Sequence, residues 1–430
     1  MALGGGIWTS QNKVLPGSYI NFVSASKATV NLGDRGVVAI PLELGWGPDA
    51  SVFTVTAEEF QKESLKLFGY DYTDDAMKGL RDLFLNAKTA LIYRVNNSGA
   101  KAANTYCTAK YKGARGNQIT TVIVNSEVQD KFDVETYFAG VLVDVQKEAT
   151  TTGDLVANDY VDWKASVSLA ATSGTACTSG TDGSATNTDY QNFLDAIEAY
   201  NFNIVTLIST NATLKGLFAN YTKRMRDDRG IKFQCVLHQY TTADHEGVIS
   251  VENGTGAELC YWVAGAEAGC AVNKSLSNTV YNGEYSVSTA YTQAQLEAAL
   301  GEGKFIFHKV GDTVRVLDDI NSLTTTSVEK GDDFKSNQTI RVLDQIGNDI
   351  ANLFNTKYLG KFPNDNAGRI SLWNDVVKHH QELERLRAIE DFLPANVIVE
   401  KGESKKAVVI TDYVTPVNCM TQLYMTVIVS

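Results

Sequence analysis

The spacing of apolar residues changes repeatedly along the chain, and each spacing predicts a different element. Apolar residues that recur every three to four positions predict helices, at 57–68, 74–87, 190–200, 212–228, 256–269, 338–360 and 369–393. Short, continuous apolar runs predict buried strands, at 37–48, 89–95, 203–209 and 231–238. Because strands and helices alternate from residue 190 onward, we expect a parallel sheet that is covered on both faces.

Between about 98 and 170 the pattern changes to an alternation with a period of two. The segments TYCTAKYKG, NQITTVIVNS and DKFDVETYFAGVLVDV follow this alternation, which predicts a small β-rich module. The run AATSGTACTSGTDGSATNTD at 170–189 comes next. Its composition is typical of a flexible linker or of an exposed loop, and the sequence leaves both interpretations open.

Both ends of the chain are poor in charge and have strand-like patterns. After Asp412 no charged side chain follows, and residues 1–33 contain only Lys13 and Lys27. Open strand edges are usually protected by Lys, Pro or a covering element. We therefore expect both ends to be arms whose strands pair with a further element, either within the chain or in another chain. The arm residues singled out are Tyr19, Ile20, Phe22 and Val23 near the start, and Leu423, Met425, Val427 and Val429 on one face of the last strand, with Tyr424, Thr426 and Ile428 on the other.

Composition and charge exclude several classes of partner. The chain has 430 residues, a net charge of -12 and 44% hydrophobic residues. The acidic balance argues against nucleic acid or an anionic membrane as the main partner. No apolar run reaches the length of a membrane-spanning helix. The six cysteines form no CxxC motif, so we expect buried free thiols in a reducing compartment.

Motifs for nucleotide binding are incomplete in this sequence. Gly303-Lys304 and Gly360-Lys361 are both followed by Phe, whereas a phosphate-binding loop requires Ser or Thr there. The segment NGTGAELC has Leu259 at the third glycine position of a dinucleotide fingerprint. We therefore expect no cofactor.

The histidines suggest two candidate sites, and the simpler interpretation is favoured for each. His238, Asp244, His245 and Ser250 lie close in sequence, but the strained GxSxG turn of a hydrolase is absent. His380 lies on the apolar stripe of a predicted helix, which favours a core histidine over a metal ligand. We expect neither a catalytic residue nor a metal site.

Several segments, in order along nearly the whole chain, resemble the tail sheath proteins of contractile bacteriophage tails, in the branch found in Gram-positive phages and prophages. The most specific are YKGARGN and VAGAEAGCAVNKSLSN. LPGSYINFVS, DRGVVAIPLELGWGP, IRVLDQIGNDI and YVTPVNCMTQLYMTVIV add to them.

The resemblance implies a multidomain chain of the α/β plus α+β class. It predicts a central subtilisin-like α/β domain, an inserted β-rich domain, and a core domain that both chain ends build and extend with arms. The expected ranges are an N-terminal arm at 1–33, the first part of the sheath core at 34–97, an outward-facing β-rich insertion and linker at 98–189, the subtilisin-like domain at 190–323, the C-terminal sheath core at 324–411 and the C-terminal arm strand at 412–430.

The resemblance also implies a structural, non-enzymatic function. Sheath subunits polymerise as stacked hexameric rings around a tail tube by exchanging arm strands, and contract by rigid-body rearrangement to drive the tube through a cell envelope. The expected partners are other copies of this chain, the tail tube protein, and the baseplate and tail terminator proteins. The expected location is the virion tail, or a bacteriocin-like particle, after assembly in the host cytoplasm. The charged residues Glu382, Glu384, Arg385 and Arg387 form either a solvated face or the tube contact.

One alternative from another class remains. A soluble α/β enzyme, either a hydrolase or a nucleotide-binding protein, could use the 190–323 domain. It predicts a monomer or dimer with a deep polar pocket, whereas a sheath subunit predicts polymers.

Overall fold

The computed structural model describes residues 32–49 and 51–429. The strands, in chain order, are β1 (Val37–Leu42), β2 (Val52–Thr56), β3 (Thr89–Arg94), β4 (Lys101–Ala103), β5 (Cys107–Lys112), β6 (Ile119–Asn125), β7 (Phe132–Phe138), β8 (Val141–Ala149), β9 (Val161–Trp163), β10 (Thr172–Ala176), β11 (Ile204–Thr206), β12 (Gln234–His238), β13 (Val248–Val251), β14 (Lys304–Phe305), β15 (Phe307–Val310), β16 (Thr313–Val316), β17 (Ile389–Glu390), β18 (Val397–Lys401), β19 (Val408–Asp412) and β20 (Thr415–Pro416). The helices are α1 (Ala57–Phe68), α2 (Lys78–Phe84), α3 (Asn187–Ile197), α4 (Ala212–Lys223), α5 (Leu259–Gly269), α6 (Gln293–Gly301), α7 (Asn337–Leu353) and α8 (Asn366–Arg385).

The largest sheet has seven strands in the order β14-β13-β12-β11-β1-β3-β2. All neighbouring pairs are parallel except β2 with β3. Successive side chains of β1 face opposite sides, as a strand requires. Val38 and Ile40 pack with α2 and α5, whereas Ala39 packs with α3 and α4. The expected parallel sheet with two covered faces is therefore confirmed.

This sheet draws its strands from two separate parts of the chain. β1 pairs with β3 on one side and with β11 on the other, and the β-rich segment lies between β3 and α3 in sequence. The ranges 34–97 and 190–323, which the sequence analysis divided, thus contribute to one sheet.

The β-rich segment consists mainly of two facing sheets. One has the strand order β10-β6-β7-β8 and the other β4-β5-β9. Trp46, from the loop after β1, packs into the core between them with Phe138 and Ile119. This unit is therefore anchored to the large sheet through an apolar contact.

The Ser/Thr/Gly-rich run is exposed along most of its length but is not a flexible linker. Thr172–Ala176 pairs with β6, the Cys177 amide donates to the Ile119 carbonyl (2.8 Å), and bridges join residues 178 and 181 to 103 and 100. The linker interpretation was wrong because composition reports on side chains, whereas backbone groups hold this segment in place.

The C-terminal region is built on α7 and α8, with the hairpin β18–β19 and the short pair β17–β20. The predicted helix at 369–393 is too long, since α8 ends at Arg385. Arg387 has a left-handed backbone (φ 60°), and the Ala388 amide returns to the Leu383 carbonyl (2.9 Å). These features close the helix and redirect the chain into β17.

Two further expectations from the sequence concern the N-terminal arm and the absence of a membrane-spanning helix. Tyr19, Ile20, Phe22 and Val23, the N-terminal arm residues, lie outside the described residues. Within 32–49 and 51–429, no helix has both the length and the apolar character needed to cross a membrane.

Candidate assembly interface

The C-terminal arm, defined here as residues 417–429, is fixed only at its base. β20 pairs with β17, and the Val417 amide donates to the Ala388 carbonyl (2.9 Å). The Gln338 side chain at the start of α7 donates its Nε2 to the Val417 carbonyl (3.0 Å) and accepts at Oε1 from the Cys419 amide (2.9 Å). The Gln338 side chain therefore makes backbone hydrogen bonds that a neighbouring strand would otherwise make, as far as Cys419.

Beyond Cys419 both faces of the arm are open. Leu423 is 86% exposed, Met425 74%, Val427 70% and Val429 90%. On the other face, Tyr424 and Ile428 are each 88% exposed. Residues 417–429 adopt no strand within the single chain, although their alternating pattern is that of one. An uncovered apolar segment of this size is typical of a protein–protein contact surface.

The hairpin β18–β19 offers a surface of the complementary kind. Val397, Val399, Val408 and Ile410 face the core beneath the hairpin, while Ile398 on β18 and Val409 on β19 are exposed. Among the described residues the hairpin has only two strands, so both of its outer edges are unpaired. A two-stranded sheet is marginally stable alone and gains stability when a further strand pairs with its edge.

This hairpin was not predicted from the sequence. Its signal was present in the order VIVEK, GESKK, AVVIT, in which two alternating apolar runs flank a polar turn. The clamp formed by Gln338 has no comparable signal, because it depends on where α7 and β20 meet in three dimensions.

The helix that carries Gln338 is anchored in the large sheet unit by a fully buried ion cluster. The Arg341 guanidinium donates to Glu267 Oε2 (2.6 Å) on α5 and to Asp319 Oδ2 (3.2 Å). All three side chains are at most 1% exposed. Glu267 and Arg341 lie within VAGAEAG and IRVLDQIGNDI, two of the segments that carry the family resemblance.

A second ion pair joins α7 to the same unit. The Arg226 guanidinium, just after α4, donates to both carboxylate oxygens of Asp344 (2.6 and 2.8 Å). Such two-point pairs fix orientation as well as distance. Because Gln338, Arg341 and Asp344 share one helix, the base of the arm is rigidly coupled to the large sheet.

Burial controls the protonation of the cluster around Arg341. Burial, together with the neighbouring Asp319 carboxylate, raises the pKa of Glu267 well above its ordinary value. Burial opposes ionisation of Asp319 as well, but the Arg341 charge and the hydrogen bonds that Asp319 makes with Glu267, the Leu276 amide and Asn337 together outweigh burial and lower the pKa of Asp319. The environment therefore favours the proton on Glu267 and the negative charge on Asp319, opposite the Arg341 guanidinium.

The four charged residues considered for the tube contact lie at the end of α8 and just after it. Arg385 and Glu382 form an ion pair with each other (2.5 Å), and Glu384 accepts from the Phe392 amide (3.0 Å). The Arg387 side chain is exposed. The side chains of Glu382, Glu384 and Arg385 thus already have partners within the chain.

The histidine segment considered for catalysis does not assemble a triad. The Ser250 hydroxyl accepts from the Tyr240 amide (2.7 Å), and the His245 ring faces Asp227 (3.1 Å) and Glu246 (3.5 Å) instead. On α8, His380 is buried, with its ring nitrogens at Asp412 (2.7 Å) and at the Val376 carbonyl (2.9 Å). The expectation of a core histidine is confirmed.

Asp227, His245 and Glu246 bring their donor atoms within 4.8 Å of one another, as metal ligands do. However, His245 Nδ1 accepts from the Gly247 amide (2.9 Å), so the neutral ring carries its proton on Nε2. A metal at Nε2 requires the proton on Nδ1, where it would oppose the Gly247 N–H. The Lys330 ammonium already neutralises Glu246 (2.9 Å). The donor set fits an ion-pair network rather than a metal centre.

A multidomain chain with an uncovered apolar arm belongs to the class of assembly subunits. Models of four domains from one family match it in sequence. They are the phage tail sheath protein central domain at residues 183–322, the phage tail sheath C-terminal domain at 329–430, the tail sheath protein Gp18 domain III N-terminal region at 35–95 and the phage tail sheath protein beta-sandwich domain at 97–182.

Individual proteins give the same result. The chain is 34% identical over 383 residues to the phage-like element PBSX protein XkdK of Bacillus subtilis strain 168, covering 81% of each. The sheath tail protein of Desulfitobacterium hafniense is 38% identical, with a TM-score of 0.82 over 95% of this chain and 99% of that one. The contracted helical sheath of the anti-feeding prophage, at 12% identity, shares the fold (TM-score 0.58, 96% and 99% covered).

The chain belongs to the phage tail sheath proteins. It is a structural, non-enzymatic subunit of a sheath and a component of the virion tail. The multidomain α/β and α+β fold is confirmed by its structural neighbours, and the enzyme alternative is not favoured.

Proposed function

We propose that this protein polymerises as stacked hexameric rings around the tail tube, and that the C-terminal arm of each subunit adds a strand to the hairpin β18–β19 of a neighbouring copy. The observation that carries the proposal is the arm beyond Cys419, which is open on both faces in the single chain. The unpaired edges of the hairpin support it. We propose the same role for the N-terminal arm residues Tyr19, Ile20, Phe22 and Val23, on the strength of their sequence pattern.

The energetics make assembly conditional on a neighbour. Burying Leu423, Met425, Val427 and Val429 contributes roughly 6–12 kcal/mol as an upper bound. Ordering about eight residues costs roughly 8–16 kcal/mol of backbone entropy. One covered face therefore approximately balances the cost. Covering Tyr424 and Ile428 as well, with ladder hydrogen bonds formed, makes docking favourable only where a partner edge exists.

The proposed contraction follows from the way in which α7 attaches the base of the arm to the folded part of the chain. Arg341 and Asp344 fix α7 to the large sheet unit, so the folded part moves as one body while the arms keep subunits linked. The extended sheath is a kinetically trapped state, a signal from the baseplate releases the first ring, and subunits rotate into a better-packed lattice. This rearrangement drives the tube through the cell envelope and consumes no nucleotide.

The remaining assignments concern partners and place. We assign the tube contact to the group Glu382, Glu384, Arg385 and Arg387, in which exposed Arg387 is available for an acidic partner. The baseplate and tail terminator proteins occupy the two ends of the polymer, and assembly takes place in the host cytoplasm. The β-rich part within 98–189 faces outward, and the 190–323 part is the subtilisin-like domain.

Cross-linking between differently labelled copies tests the arm–hairpin contact. A photo-reactive phenylalanine analogue replaces Tyr424, whose side chain is exposed and aromatic, and ¹⁵N-labelled and unlabelled proteins are mixed before assembly. We expect cross-links to peptides that contain β18 or β19, with one light and one heavy partner. The same analogue at Tyr200, which is also exposed, is the control and should not reach the hairpin. Cross-links confined to single copies, or reaching other domains, would refute the contact.

Electron microscopy of the purified protein separates the proposal from the enzyme alternative. A sheath subunit forms hollow tubes or stacked rings with six-fold symmetry, whereas a soluble enzyme forms compact particles. Rings with another symmetry would contradict the hexameric part of the proposal alone.

A further inference from the structure

Two thiols meet in the core between the two sheets of the β-rich unit. Cys107 begins β5 in the three-stranded sheet, and Cys177 directly follows β10 in the four-stranded sheet. Their sulfur atoms are 3.7 Å apart, and neither residue is more than 1% exposed. The two positions are separated by 70 residues along the chain. The contact therefore joins the two sheets, and it joins two positions that are far apart in the sequence.

We propose that Cys107 and Cys177 form an oxidation site, at which a hydroperoxide converts the two thiols into a disulfide that joins the two sheets. An S–S bond is about 2.05 Å long, and the two sulfur atoms already lie 3.7 Å apart, so forming the bond requires only that they approach each other further. The proposal is independent of the arm–hairpin contact.

The surroundings favour Cys177 as the attacking group. The contact with Cys107 lowers the pKa of Cys177, burial opposes this effect, and the positive charge of Lys164 adds to it. The Lys164 ammonium is held beside the pair by the Asn104 carbonyl, and the Asn104 side-chain oxygen lies 3.4 Å from the Cys107 sulfur. A thiolate is the nucleophile in such oxidations.

The buried cysteines outside this pair have raised pKa values. Burial raises the pKa of Cys235 to about 12 and that of Cys270 to about 11, and it also raises the pKa of Cys260. Cys419 is exposed on the arm, which corrects the expectation that all six thiols are buried. Cys107 and Cys177 thus differ from the other buried cysteines in combining sulfur contact with an activated partner.

The chemistry balances with one hydroperoxide per pair. The Cys177 thiol first gives up its proton, and the resulting thiolate attacks the terminal oxygen of the hydroperoxide. The S–O bond forms, the O–O bond breaks, and the departing alkoxide, or hydroxide from hydrogen peroxide, takes up that proton and leaves as an alcohol or as water. The Cys107 sulfur then attacks the Cys177 sulfenic acid, the S–S bond forms, and water leaves with the Cys107 proton. Both sulfurs are oxidised by one electron each, and the peroxide is reduced by two.

The bridge would act when the particle leaves the cell. Thiols stay reduced in the cytoplasm and disulfides persist outside it. As a virion tail component, the chain is exposed to the external medium after release. The disulfide would fasten the Ser/Thr/Gly-rich segment that follows β10 to β5, which adds a covalent tie to a segment otherwise held by backbone hydrogen bonds.

Peptide mapping of the wild-type protein tests the proposal directly. Trypsin cuts after Lys101, Lys110, Lys164 and Lys215, so that Cys107 and Cys177 fall in the separate peptides 102–110 and 165–215. Peptide 233–274 contains Cys235, Cys260 and Cys270 and is an internal control. The protein is purified with reductant, treated with hydrogen peroxide, alkylated in denaturant and digested. We expect 102–110 linked to 165–215 with the loss of two hydrogens, while 233–274 stays fully alkylated.

Two results of this mapping would overturn the proposal. In one, Cys107 and Cys177 remain alkylated to the same extent as the cysteines of 233–274. In the other, either residue is oxidised without the linked peptide forming. Because the measurement uses the unmodified chain, it does not depend on whether a variant folds.

A thermal measurement provides the second test. Oxidised wild-type protein should unfold several degrees higher than reduced protein, because a cross-link that closes a long loop restricts the unfolded chain, and dithiothreitol should reverse the shift. The Cys107→Ala variant should show no oxidation-dependent shift. An equal shift in the variant would overturn the assignment to this pair.

Discussion

A charged substitution in the arm separates assembly from folding. Val427 lies on the apolar face of the arm and is 70% exposed in the single chain. Val328 is also an exposed valine (106%), in the loop that precedes α7. The variants Val427→Asp and Val328→Asp therefore add the same charge to the same residue type, and only the first alters the proposed contact.

The size of the effect follows from the burial that docking requires. Docking Val427 contributes about 1.5–3 kcal/mol, which the aspartate loses. Burying a carboxylate without full hydrogen bonding costs at least about 2 kcal/mol more. A loss of 3 kcal/mol or more per arm corresponds to at least about a 100-fold weaker contact. The stability of the subunit should change by no more than about 0.5 kcal/mol, because the site is exposed there.

Sedimentation velocity over a concentration series measures the threshold for polymer formation. We expect Val427→Asp to raise this concentration at least about 100-fold, while Val328→Asp assembles as the wild type does and all three unfold at the same urea concentration. Assembly of Val427→Asp at the wild-type threshold would refute the reasoning. Equal impairment of both variants would attribute the effect to net charge rather than to the arm.

Three further predictions concern Gln338, which holds the base of the arm, and the buried ion cluster, which holds α7. Gln338→Ala removes the clamp on Val417 and Cys419, so hydrogen exchange of the Cys419 amide should be roughly 3–10-fold faster, and an unchanged rate would contradict the role of the clamp. Arg341→Met leaves buried Asp319 without its cation and should cost about 3–5 kcal/mol in urea unfolding, whereas Arg385→Met at the exposed pair should have little effect; similar losses for both would be inconsistent with the buried cluster. The folded-state pKa of Glu267 lies above its unfolded value, so its contribution is complete below the unfolded pKa and is lost as pH rises through the folded one. The unfolding free energy of the wild type relative to Glu267→Gln should therefore fall as the pH rises above the unfolded pKa of about 4.3, and a difference that rises with pH would contradict the raised pKa of Glu267.

Elements whose ends are encoded locally could be predicted closely from the sequence. The predicted helix 57–68 coincides with α1 because both ends carry their own signals. Thr56 and Glu59 form a capping box at the start, and Gly69 takes a left-handed conformation (φ 76°) at the end. The apolar pattern of β1 likewise sufficed, because a strand covered on both faces is apolar throughout.

Features fixed by tertiary contacts could not be predicted in this way. The end of α8 depends on Arg387 in a left-handed conformation, a conformation for which arginine has no special preference, while the apolar spacing continues through Ile389 and Phe392. The order in the Ser/Thr/Gly-rich run at 170–189 depends on the backbone pairing of β10 with β6 and on the bridges from residues 178 and 181 to 103 and 100, which composition does not reveal. The ion cluster of Arg341 joins residues from three distant segments, and none of them signals its partners.

The features of the candidate site likewise divide into those that the local sequence encodes and those that tertiary contacts fix. The exposed arm could be recognised from the sequence, because its lack of charge and its alternation are local properties. The hairpin acceptor has a recognisable pattern, but its unpaired edges became apparent only once the sheets were assembled. The Cys107–Cys177 contact has no sequence signal at all, since 70 residues separate the two thiols.

Removal of residues 420–430 tests most directly whether the arm joins the subunits. The deletion starts after the last residue that Gln338 clamps, so the folded part should keep its structure. Electron microscopy and sedimentation of the truncated protein should detect only single subunits, with the unfolding temperature of the full-length chain. Sheath-like cylinders built by the truncated protein would contradict the account.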